Sequence, residues 1–417
     1  MPCTVFIFHL SLMPDFSTDD KHWMARAMEL AKRGEGFVEP NPMVGCVLTS
    51  THHLDACHPG ANSSGSAEVF GAEVIGEGWH KVFGGAHAEI EAIRAASLAE
   101  KSTKNATAYV TLEPCCHHGK TPPCVEALIK AEVRRVVIAM RDPFTQVNGG
   151  GIDRLREAGI DVSVGCLESN ARELNAPYLM RLERHRPWVI AKWAMTLDGK
   201  MATHTGSSRW VTSEASRNVV HQLRARMDAV MVGSRTAGLD DPLLTVRRET
   251  VYPETVPNRT PLRIVFDSHG TLSPKSRLAR TAHESLVIVA ASEQVLQTDQ
   301  TAKKNAILLA DSGCEVIPLK GETHHERLLE LFADLAKRGA TNLLVEGGGT
   351  LLGHLFDHQL IDETHVFIAP KLIGGKDATF PIAGLGITEM SDACELIDPV
   401  TEPLGHDIYC HGRLRKP

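Results

Sequence analysis

Four residues in the first third of the chain carry the side chains that hydrolytic zinc chemistry requires: His87, Glu89, Cys115 and Cys124. One imidazole and two thiolates hold a zinc ion and leave its fourth position open, which is the ligand pattern of a catalytic zinc site. Zinc lowers the pKa of a bound water toward neutrality. Glu89 stands two residues after the histidine, within reach of such a water but free to carry protons. The pattern predicts three zinc ligands and one catalytic glutamate.

The spacing of the two cysteines departs from the common form of this motif. A histidine, a glutamate that does not bind the metal and a later Pro-Cys are together typical of zinc-dependent base deaminases. Eight residues separate Cys115 from Cys124, whereas the common form has two. A closed structural zinc site would need a fourth ligand, from Cys116, His117 or His118, and stays open as an alternative at this point. Because Cys116 directly follows a ligand, we expect it to line a pocket.

The composition limits which partners and which cellular compartment are expected for this protein. With 417 residues, the chain is expected to form two or three domains. A net charge of −7 and an aromatic content of 5% count against a nucleic-acid partner. The apolar run at the N-terminus lacks basic residues before it and is too short to cross a membrane. Cys46, Cys166 and Cys314 lie in apolar stretches and are expected to be buried thiols, so we expect a cytoplasmic protein.

Strands and helices alternate through the first half, which predicts a three-layer α/β domain over residues 15–175. A helix is expected from Asp19 to Arg33, with Met13 as a candidate start of the chain. His87 is expected to open a helix, and Cys124 another. The polar segment 49–71 is expected to be an inserted surface loop whose His52, His53, Cys57 and His58 are solvated.

A second α/β pattern starts at Trp188, after a basic segment over 176–187 that is a candidate linker. No G-x-G-x-x-G follows a strand, so a Rossmann dinucleotide site is not supported. The best local signal is the run from Leu344 to Thr350, a strand that passes through three glycines into a helix. Such a turn is either a phosphate cradle or simply a tight connection, and the run alone does not decide between them. The expected strands are 189–192, 229–232, 263–266, 286–290, 342–345 and 364–368, and the expected helices are 213–226, 325–338 and 350–358.

These motifs carry a resemblance to a known family. The strings NPMVG, GGAHAE and TLEPCCHHGKTPPC resemble the deaminase half of the bifunctional riboflavin-biosynthesis deaminase–reductases, which share the long cysteine spacing. Members usually have serine at the position of Cys116 and lack most of the 49–71 insertion, and neither difference touches the zinc ligands. The resemblance implies that Asn41, His117 and Lys120 lie near the pyrimidine or its phosphate.

The second half resembles the reductase half of the same family. The strings AKWAMTLDGKMAT, GSSRWVTS, LRARMDAVMVGSRTAGLDDPLLTVR and IAPKLIGG carry this likeness, which implies an NADPH-binding domain like dihydrofolate reductase over residues 187–417. Without the resemblance, Arg224 would be expected on an exposed helix face and Trp210 in the core. The implied NADPH contacts are Ala194, Trp210, Thr236, Asp240, Gly348, Gly349 and Thr350. The implied substrate contacts are Ser208, Arg224, Leu244, Arg247 and Glu346.

The resemblance implies two consecutive reactions on a small molecule. Zinc-dependent hydrolysis would deaminate 2,5-diamino-6-ribosylamino-4(3H)-pyrimidinone 5′-phosphate, and NADPH would then reduce the ribosyl group to a ribityl chain. Two alternatives remain open from the sequence alone. One is a nucleic-acid or nucleoside base deaminase with an appended binding domain, and the other is a non-catalytic protein stabilised by zinc. Neither a homo-oligomer nor a monomer is excluded.

Overall fold

The computed structural model describes residues 16–50, 72–117, 122–145, 147–208, 210–247 and 260–415. The chain divides into two compact units, Met1–Asn175 and Ala176–Pro417. Most of the expected insertion, residues 51–71, and the candidate start Met13 lie outside the described residues.

The first unit is built on a five-stranded mixed sheet with the order β2-β1-β3-β4-β5. Strand β1 pairs antiparallel with β2 and β3, whereas β3, β4 and β5 run parallel. The strands are β1 (Gly45–Thr49), β2 (Val74–Trp79), β3 (Thr107–Val110), β4 (Arg135–Ile138) and β5 (Asp161–Val164). The helices are α1 (Thr18–Lys32), α2 (Ala88–Leu98), α3 (Cys124–Lys130), α4 (Gly150–Glu157) and α5 (Glu168–Leu174).

Two glycines let helices approach this sheet closely on opposite faces. A Cβ atom on Gly45 would lie 1.9 Å from the carbonyl oxygen of Ala27 in α1, and one on Gly78 would lie 2.4 Å from that of Ala88 in α2. Gly78 pairs with Cys46, so it faces the same side as Cys46 and the opposite side from Gly45. The sheet therefore lies between helical layers, and the predicted three-layer class is confirmed. The close contact with β2 fixes the start of α2.

The second unit contains a nine-stranded sheet with the order β10-β9-β8-β7-β11-β6-β12-β14-β13. The strands from β10 to β12 are parallel, and β14 and β13 continue the sheet antiparallel. The strands are β6 (Trp188–Thr196), β7 (Ala229–Gly233), β8 (Leu262–Phe266), β9 (Val287–Ser292), β10 (Glu315–Leu319), β11 (Asn342–Glu346), β12 (Glu363–Ala369), β13 (Ile397–Leu404) and β14 (Asp407–Arg413).

The helices of the second unit cover the parallel part of the sheet, whose central strands are buried apolar runs as parallel sheets require. They are α6 (Ala176–Glu183), α7 (Glu214–Arg226), α8 (Ser234–Asp240), α9 (Arg277–Arg280), α10 (Glu293–Thr298), α11 (Gln300–Asp311), α12 (His324–Lys337) and α13 (Gly349–Asp357). A short 3-10 helix spans Met390–Asp392.

Three strands have no counterpart in the sequence prediction. Strand β10 is an edge strand that contains Pro318, and a proline within a run argues against a strand. Strand β13 is mostly exposed and carries two prolines, and β14 buries Asp407 while it exposes Ile408, so neither strand shows the apolar alternation that marks a half-buried strand.

The segment that the sequence marked as a linker is partly the helix α6. Ala176 and Met180 join the hydrophobic cluster around Trp188, and Leu179 is also buried. The arginines at 181, 184 and 186 gave the segment its basic composition and hid this apolar face, which lies at residues 176 and 178–180. The helix belongs to the second unit.

None of the helices in the described part of the chain combines the length and the apolar character needed to cross a lipid bilayer.

We expect a fragment of residues 176–417 to be more stable than one of residues 184–417, which lacks α6 but keeps Arg186. Burial of Leu179 and Met180 contributes about 3–6 kcal/mol to the free energy of unfolding. Urea denaturation followed by circular dichroism would measure the difference. Equal stabilities would show that α6 is only a connector.

Candidate functional site

His87, Cys115 and Cys124 meet in the first unit although they come from three separate segments. His87 is the N-cap residue of α2, Cys115 lies in the loop after β3, and Cys124 is the first residue of α3. Their ligand atoms all lie within 4.8 Å of one another. The His87 Nδ1 atom is 3.2 Å from the Cys124 Sγ atom and 3.6 Å from the Cys115 Sγ atom. The donor set of one nitrogen and two sulfurs fits zinc.

The surroundings of Cys115 favour the thiolate, which is the form that binds a metal. A hydrogen bond from the Cys124 thiol lowers the pKa of Cys115 to about 4, and His87 adds to this effect. The backbone N–H of Cys124, at the start of α3, also donates to the Cys115 Sγ atom over 3.4 Å. The helix start therefore stabilises negative charge at the position where a metal ligand must be ionised.

A closed site with four protein ligands is not supported among the described residues. Within them, no fourth histidine, cysteine or carboxylate joins the three ligands. Cys116 instead packs against the core of the unit, where its Sγ atom is 3.0 Å from the position of a Cβ atom on Gly150. His118 lies outside the described residues. The three ligands leave room for a fourth, non-protein ligand.

Glu89 lies in the first turn of α2 beside the three ligands and is 3% exposed. Burial, together with the charge of Cys115, raises the pKa of its carboxyl to about 7. A carboxyl with this pKa can both accept and release a proton near neutral pH. Its position next to the ligands fits the predicted role.

Two of the polar residues expected to contact the pyrimidine or its phosphate, Asn41 and His117, lie near this cluster. The Asn41 amide donates over 3.3 Å to the Nε2 atom of His80, whose Nδ1 atom faces the carbonyl oxygen of Ala86 at 3.0 Å. His117 packs against Phe144, and its buried Nδ1 atom has no hydrogen-bond partner. A ligand with a polar edge would satisfy that atom. Lys120, the third residue of the set, lies outside the described residues.

Sequence reasoning missed His80 and Glu113. His80 directly follows β2, is 3% exposed and lies with its ring centroid 5.3 Å from that of His87. The only sequence signal was a histidine at the end of a strand. The Glu113 carboxylate accepts hydrogen bonds from the backbone N–H groups of Asp142, Gly149, Gly151 and Ile152, at 3.0–3.4 Å. This carboxylate joins the Cys115 loop to the start of α4.

The second unit contains a cavity of about 910 Å³ at the carboxyl ends of β6, β11, β7 and β8. All seven residues expected to contact NADPH line this cavity. Five residues of the second unit are expected to contact the substrate, and four of them line the cavity as well. The cofactor set is Ala194, Trp210, Thr236, Asp240, Gly348, Gly349 and Thr350, and the substrate set is Ser208, Arg224, Leu244 and Glu346.

The fifth residue of that substrate set, Arg247, does not line the cavity. Its backbone N–H donates over 3.3 Å to the Nδ1 atom of His221 in α7. Burial, and then the positive charges of Arg224 and Arg247, lower the pKa of His221 to about 4, so this imidazole is neutral near pH 7. Arg247 therefore lies against α7, one helical turn from Arg224.

Arg224 and Glu346 form a buried ion pair at the wall of the cavity. The Nη2 atom of Arg224 donates to Glu346 over 2.8 Å, its Nε atom donates to the other carboxylate oxygen, and its Nη1 atom donates to the carbonyl of Thr245. Burial raises the pKa of Glu346, but Arg224 and then Lys192 outweigh this and hold it below its ordinary value. Lys192 also lines the cavity, and burial lowers its pKa. Sequence reasoning missed Lys192.

Two expectations drawn from residue type alone are wrong. Arg224 is not on an exposed helix face, because its side chain is only 14% exposed in the ion pair. Trp210 is not a core residue, because it is 63% exposed and stacks at the cavity rim with Arg217, whose guanidinium carbon lies 4.5 Å from the ring centroid. The exposure of each side chain depends on its neighbours in the folded structure, and residue type does not show these neighbours.

The glycines between β11 and α13 are required by the path of the backbone and by its close packing. Gly347 and Gly348 have φ angles of +68° and +83°, which favour glycine. A Cβ atom on Gly348 would lie 3.0 Å from the Thr236 hydroxyl, and one on Gly349 would lie 2.3 Å from the carbonyl oxygen of Phe380. Bare backbone at a helix start inside a cavity fits a phosphate group, and this favours the cradle over a simple turn.

Two protein-family models match the chain, one in each unit. The model of the cytidine and deoxycytidylate deaminase zinc-binding region matches residues 17–140, and the model of the RibD C-terminal domain matches residues 187–409.

Known proteins match nearly the whole chain. The riboflavin biosynthesis protein RibD of Escherichia coli is 38% identical over 399 residues, which cover 94% of this chain and 98% of the relative. The RibD protein of Actinobacillus pleuropneumoniae is 36% identical over 390 residues, with 93% and 94% covered. Two solved structures are similar throughout. One is RibD of Acinetobacter baumannii, with a TM-score of 0.74 and 33% identity, and the match covers 95% of this chain and 98% of that chain. The other is a diaminohydroxyphosphoribosylaminopyrimidine deaminase/5-amino-6-(5-phosphoribosylamino)uracil reductase of Thermotoga maritima. Its TM-score is 0.72, its identity is 31%, and the match covers the same shares of the two chains.

We expect the Cys124→Ser variant to lose zinc, because it removes one of three ligands, whereas Cys116→Ser should keep the metal of the unsubstituted protein. Loss of a ligand lowers the affinity by orders of magnitude, so the zinc content should fall from about one ion per chain to nearly none. Elemental analysis of the purified proteins would measure this. Equal zinc loss in both variants would place Cys116 among the ligands.

Proposed function

The chain belongs to the RibD family, and from this premise we propose which of its residues perform each reaction. It is a bifunctional deaminase–reductase of riboflavin biosynthesis, with a zinc-binding deaminase domain and a reductase domain of an NADPH-using family. The predicted function, cofactors and fold class are therefore confirmed. We propose 15–175 as the extent of the deaminase domain and 187–417 as that of the reductase domain, with α6 attached to the latter.

The proposed substrate is the one that the name of the Thermotoga maritima relative describes, a diaminopyrimidine that carries a ribosylamino phosphate. The deaminase domain would convert it to the aminouracil, and the reductase domain would reduce the ribosyl group of that product. Both steps act on a small molecule. The observation that carries this proposal is the presence, in one chain, of the His87, Cys115 and Cys124 cluster with Glu89 and of the glycine-lined cavity.

In the deaminase domain, His87, Cys115 and Cys124 would hold zinc, which when bound supplies Lewis-acid activation of water at neutral pH. Glu89 would take one proton from the attacking water and deliver it to the ring nitrogen of the pyrimidine, and would then carry the second proton, from the newly added hydroxyl group, to the departing ammonia. Its pKa of about 7 suits both transfers. Asn41, held by His80, and His117, with its unpaired Nδ1 atom, would bind the polar edge of the pyrimidine, together with Lys120.

We expect Glu89→Gln to lose deamination while zinc remains bound, because the amide cannot carry the proton and is not a ligand. Ammonia release should fall by about 10²- to 10⁴-fold. The zinc content and the rate of NADPH oxidation with the deaminated substrate should not change, which serves as the control. Deamination at the original rate would show that Glu89 is not the proton carrier.

In the reductase domain, NADPH supplies a hydride when bound, and the protein orients the two reactants. The glycines from Gly348 would cradle the cofactor phosphates, with Ala194, Trp210, Thr236, Asp240 and Thr350 along the same wall. The Arg224–Glu346 pair and Lys192 would place charged hydrogen-bonding groups on the sugar phosphate or its pyrimidine, with Ser208 and Leu244 beside them. Arg247 is the one proposed substrate contact that does not line the cavity.

We expect Glu346→Gln to lower the reductase rate by about 100-fold, equivalent to about 2.7 kcal/mol of transition-state stabilisation. The substitution removes the charge that pairs with Arg224 and faces Lys192, in a site with little water to replace it. NADPH oxidation measures the rate, and ammonia release in the same sample should stay unchanged. Glu315→Gln, which alters an exposed pair with Arg338, is the matched control. A full reductase rate for Glu346→Gln would remove this residue from the site.

The remaining expectations on partners and compartment belong to the same proposal. A net charge of −7 supports a small-molecule substrate over nucleic acid, and deamination of tRNA or single-stranded DNA by the purified protein would contradict it. Cys46, Cys166 and Cys314 are buried thiols without disulfides, which supports a reducing, cytoplasmic location. Leu372, Leu385 and Met390 are highly exposed apolar side chains, and this exposure supports a homo-oligomer in which a second copy would bury them.

A further inference from the structure

The connection from β12 to the 3-10 helix, residues 370–389, contains no helix and no strand, and the structure describes all of it. Connections of more than about 12–15 residues without secondary structure are uncommon in compact domains, and they are usually either functional or disordered. The part from 371 to 386, which we call the strap, lies along one side of the second-unit cavity. Six residues of the strap line that cavity: Lys376, Asp377, Ala378, Thr379, Phe380 and Ala383.

Apolar burial does not hold the strap in place. Among its residues, all of which the structure describes, Ala378 is the only buried one, and most of the others are exposed to solvent. A segment with so little buried apolar surface opens at a small cost in free energy unless polar contacts fix it. The position of this cavity wall therefore depends on its hydrogen bonds.

The Asp198 carboxylate binds the first turn of the strap. One oxygen accepts from the backbone N–H of Gly374 over 2.7 Å, and both oxygens lie 3.3 Å from the backbone nitrogen of Ile373. The other oxygen accepts from the Thr196 hydroxyl over 2.6 Å. The bond from Thr196, and then that from Gly374, lower the pKa of Asp198, so the carboxylate is charged near pH 7. Hydrogen bonds to a charged acceptor are stronger than those between neutral groups.

The end of the sheet places Asp198 for this contact. Strands β6 and β12 are parallel neighbours, and Thr196 pairs with Ala369 at their last positions. One further bond follows, from the Leu197 N–H to the Lys371 carbonyl over 2.9 Å. Beyond it the two chains leave the sheet, and their backbone N–H groups need new acceptors. Asp198, two residues after the end of β6, supplies them to the strap.

Two further contacts join the strap to the loop after β6. The Thr379 carbonyl accepts from the Met201 N–H over 2.8 Å, and the Thr379 N–H donates to the Ala202 carbonyl over 3.2 Å. The Lys200 ammonium lies 3.5 Å from the ring centroid of Phe380. Both contacts involve residues of the cavity wall. They depend on the register between strap and loop, which the carboxylate sets at the first turn.

A second carboxylate binds the other end of the strap. Asp357, the last residue of α13, accepts from the backbone N–H groups of Leu385 and Gly386 over 2.9 and 3.1 Å. The φ angle of Gly384 is +112°, and a Cβ atom there would lie 2.3 Å from an Asp357 oxygen. Carboxylates therefore hold both ends of a wall that has little apolar burial of its own.

We propose that Asp198 is a positioning residue of the reductase domain, which acts through the strap to hold Thr379 and Phe380 where hydride transfer requires them. This inference rests on the proposed location of the reduction in this cavity. Asp198 itself does not line the cavity and takes no part in the reaction. When the carboxylate releases the strap, the wall moves outward, water enters, and the reactants lose their fixed orientation.

The test combines hydrogen–deuterium exchange, followed by mass spectrometry, with reductase kinetics on the full-length Asp198→Asn variant. The amide keeps the size of the side chain but loses its charge and one acceptor. Exchange in residues 373–380 should therefore be about tenfold faster, the loss expected for one hydrogen bond to a charged group, and exchange in β11 should not change. NADPH oxidation with the deaminated substrate should be about tenfold slower at saturation with an unchanged KM, because orientation is lost and binding is not.

Asp299→Asn is the matched control. Asp299 also accepts from two successive backbone N–H groups, those of Thr301 and Ala302, and it lies outside the cavity wall. This variant should keep the exchange of the strap and the reductase rate of the unsubstituted protein. Asp357→Asn is a second variant, which should loosen the strap from its other end and lower the saturated rate in the same way.

The kinetics and the exchange separate the ways in which the proposal can fail. A full saturated rate in Asp198→Asn, with or without faster exchange in the strap, would show that the strap does not position the reactants. Faster exchange throughout β6 and β12 would show that the carboxylate only stabilises the fold. If the unsubstituted protein does not oxidise NADPH with the deaminated substrate, the reductase assignment of the cavity fails, and this role of Asp198 with it.

Discussion

Backbone N–H groups at the ends of a sheet need acceptors, and in this protein carboxylates supply them beside the metal ligands of the first unit and at the strand starts of the second unit, opposite the cavity. Glu113 accepts from four such groups next to the metal ligands. In the second unit, Asp228 accepts from the N–H groups of Thr341 and Asn342 at the start of β11, and Asp362 accepts from that of Val189 in β6. An unsatisfied buried N–H group costs about 1–3 kcal/mol, so each carboxylate strongly favours one path for its loop. In the first unit this fixes the loop of Cys115, and in the second unit it fixes the starts of the strands β6 and β11 whose other ends line the cavity.

The two sites control the charge of a buried glutamate in opposite ways. Glu89 is buried without a cationic partner that outweighs burial, so its pKa rises to about 7 and its carboxyl can exchange a proton. Glu346 is also largely buried, with a side chain that is 11% exposed, but Arg224 and Lys192 keep its pKa low and its charge present. The first arrangement suits proton transfer in hydrolysis, and the second suits the recognition of a charged substrate. Burial alone would not distinguish them; the neighbours decide.

The sequence predicted the parts of the sites that are local and missed those that depend on distant contacts. The metal ligands and Glu89 were predicted from short motifs at helix starts. The run of glycines predicted the turn between β11 and α13. The Arg224–Glu346 pair joins residues 122 positions apart, so no pattern within a helix or strand reveals it. Glu113 lies within the string TLEPCCHHGKTPPC, and His80 lies outside the quoted strings, but the roles of both residues depend on the loops that fold over them and are not visible in the sequence. The edge strand β10 was missed because its proline contradicts the usual strand pattern.

Arg263 is another charged side chain that binds backbone groups, but it is a cation and its partners are carbonyl oxygens. It is fully buried, and its guanidinium donates to the carbonyl oxygens of Leu243, Thr281 and Ser285 and to the Thr281 hydroxyl. The carbonyl groups after α9 carry the negative end of the helix dipole, which partly compensates the buried charge. The next residue after Leu243 is Leu244, a buried cavity residue with a φ angle of +55°, a conformation that costs a branched side chain about 1–3 kcal/mol. Such a conformation persists only where its neighbours are held firmly. A buried cation that binds the preceding carbonyl holds Leu244 against the substrate end of the cavity, just as Glu113 holds the loop of Cys115.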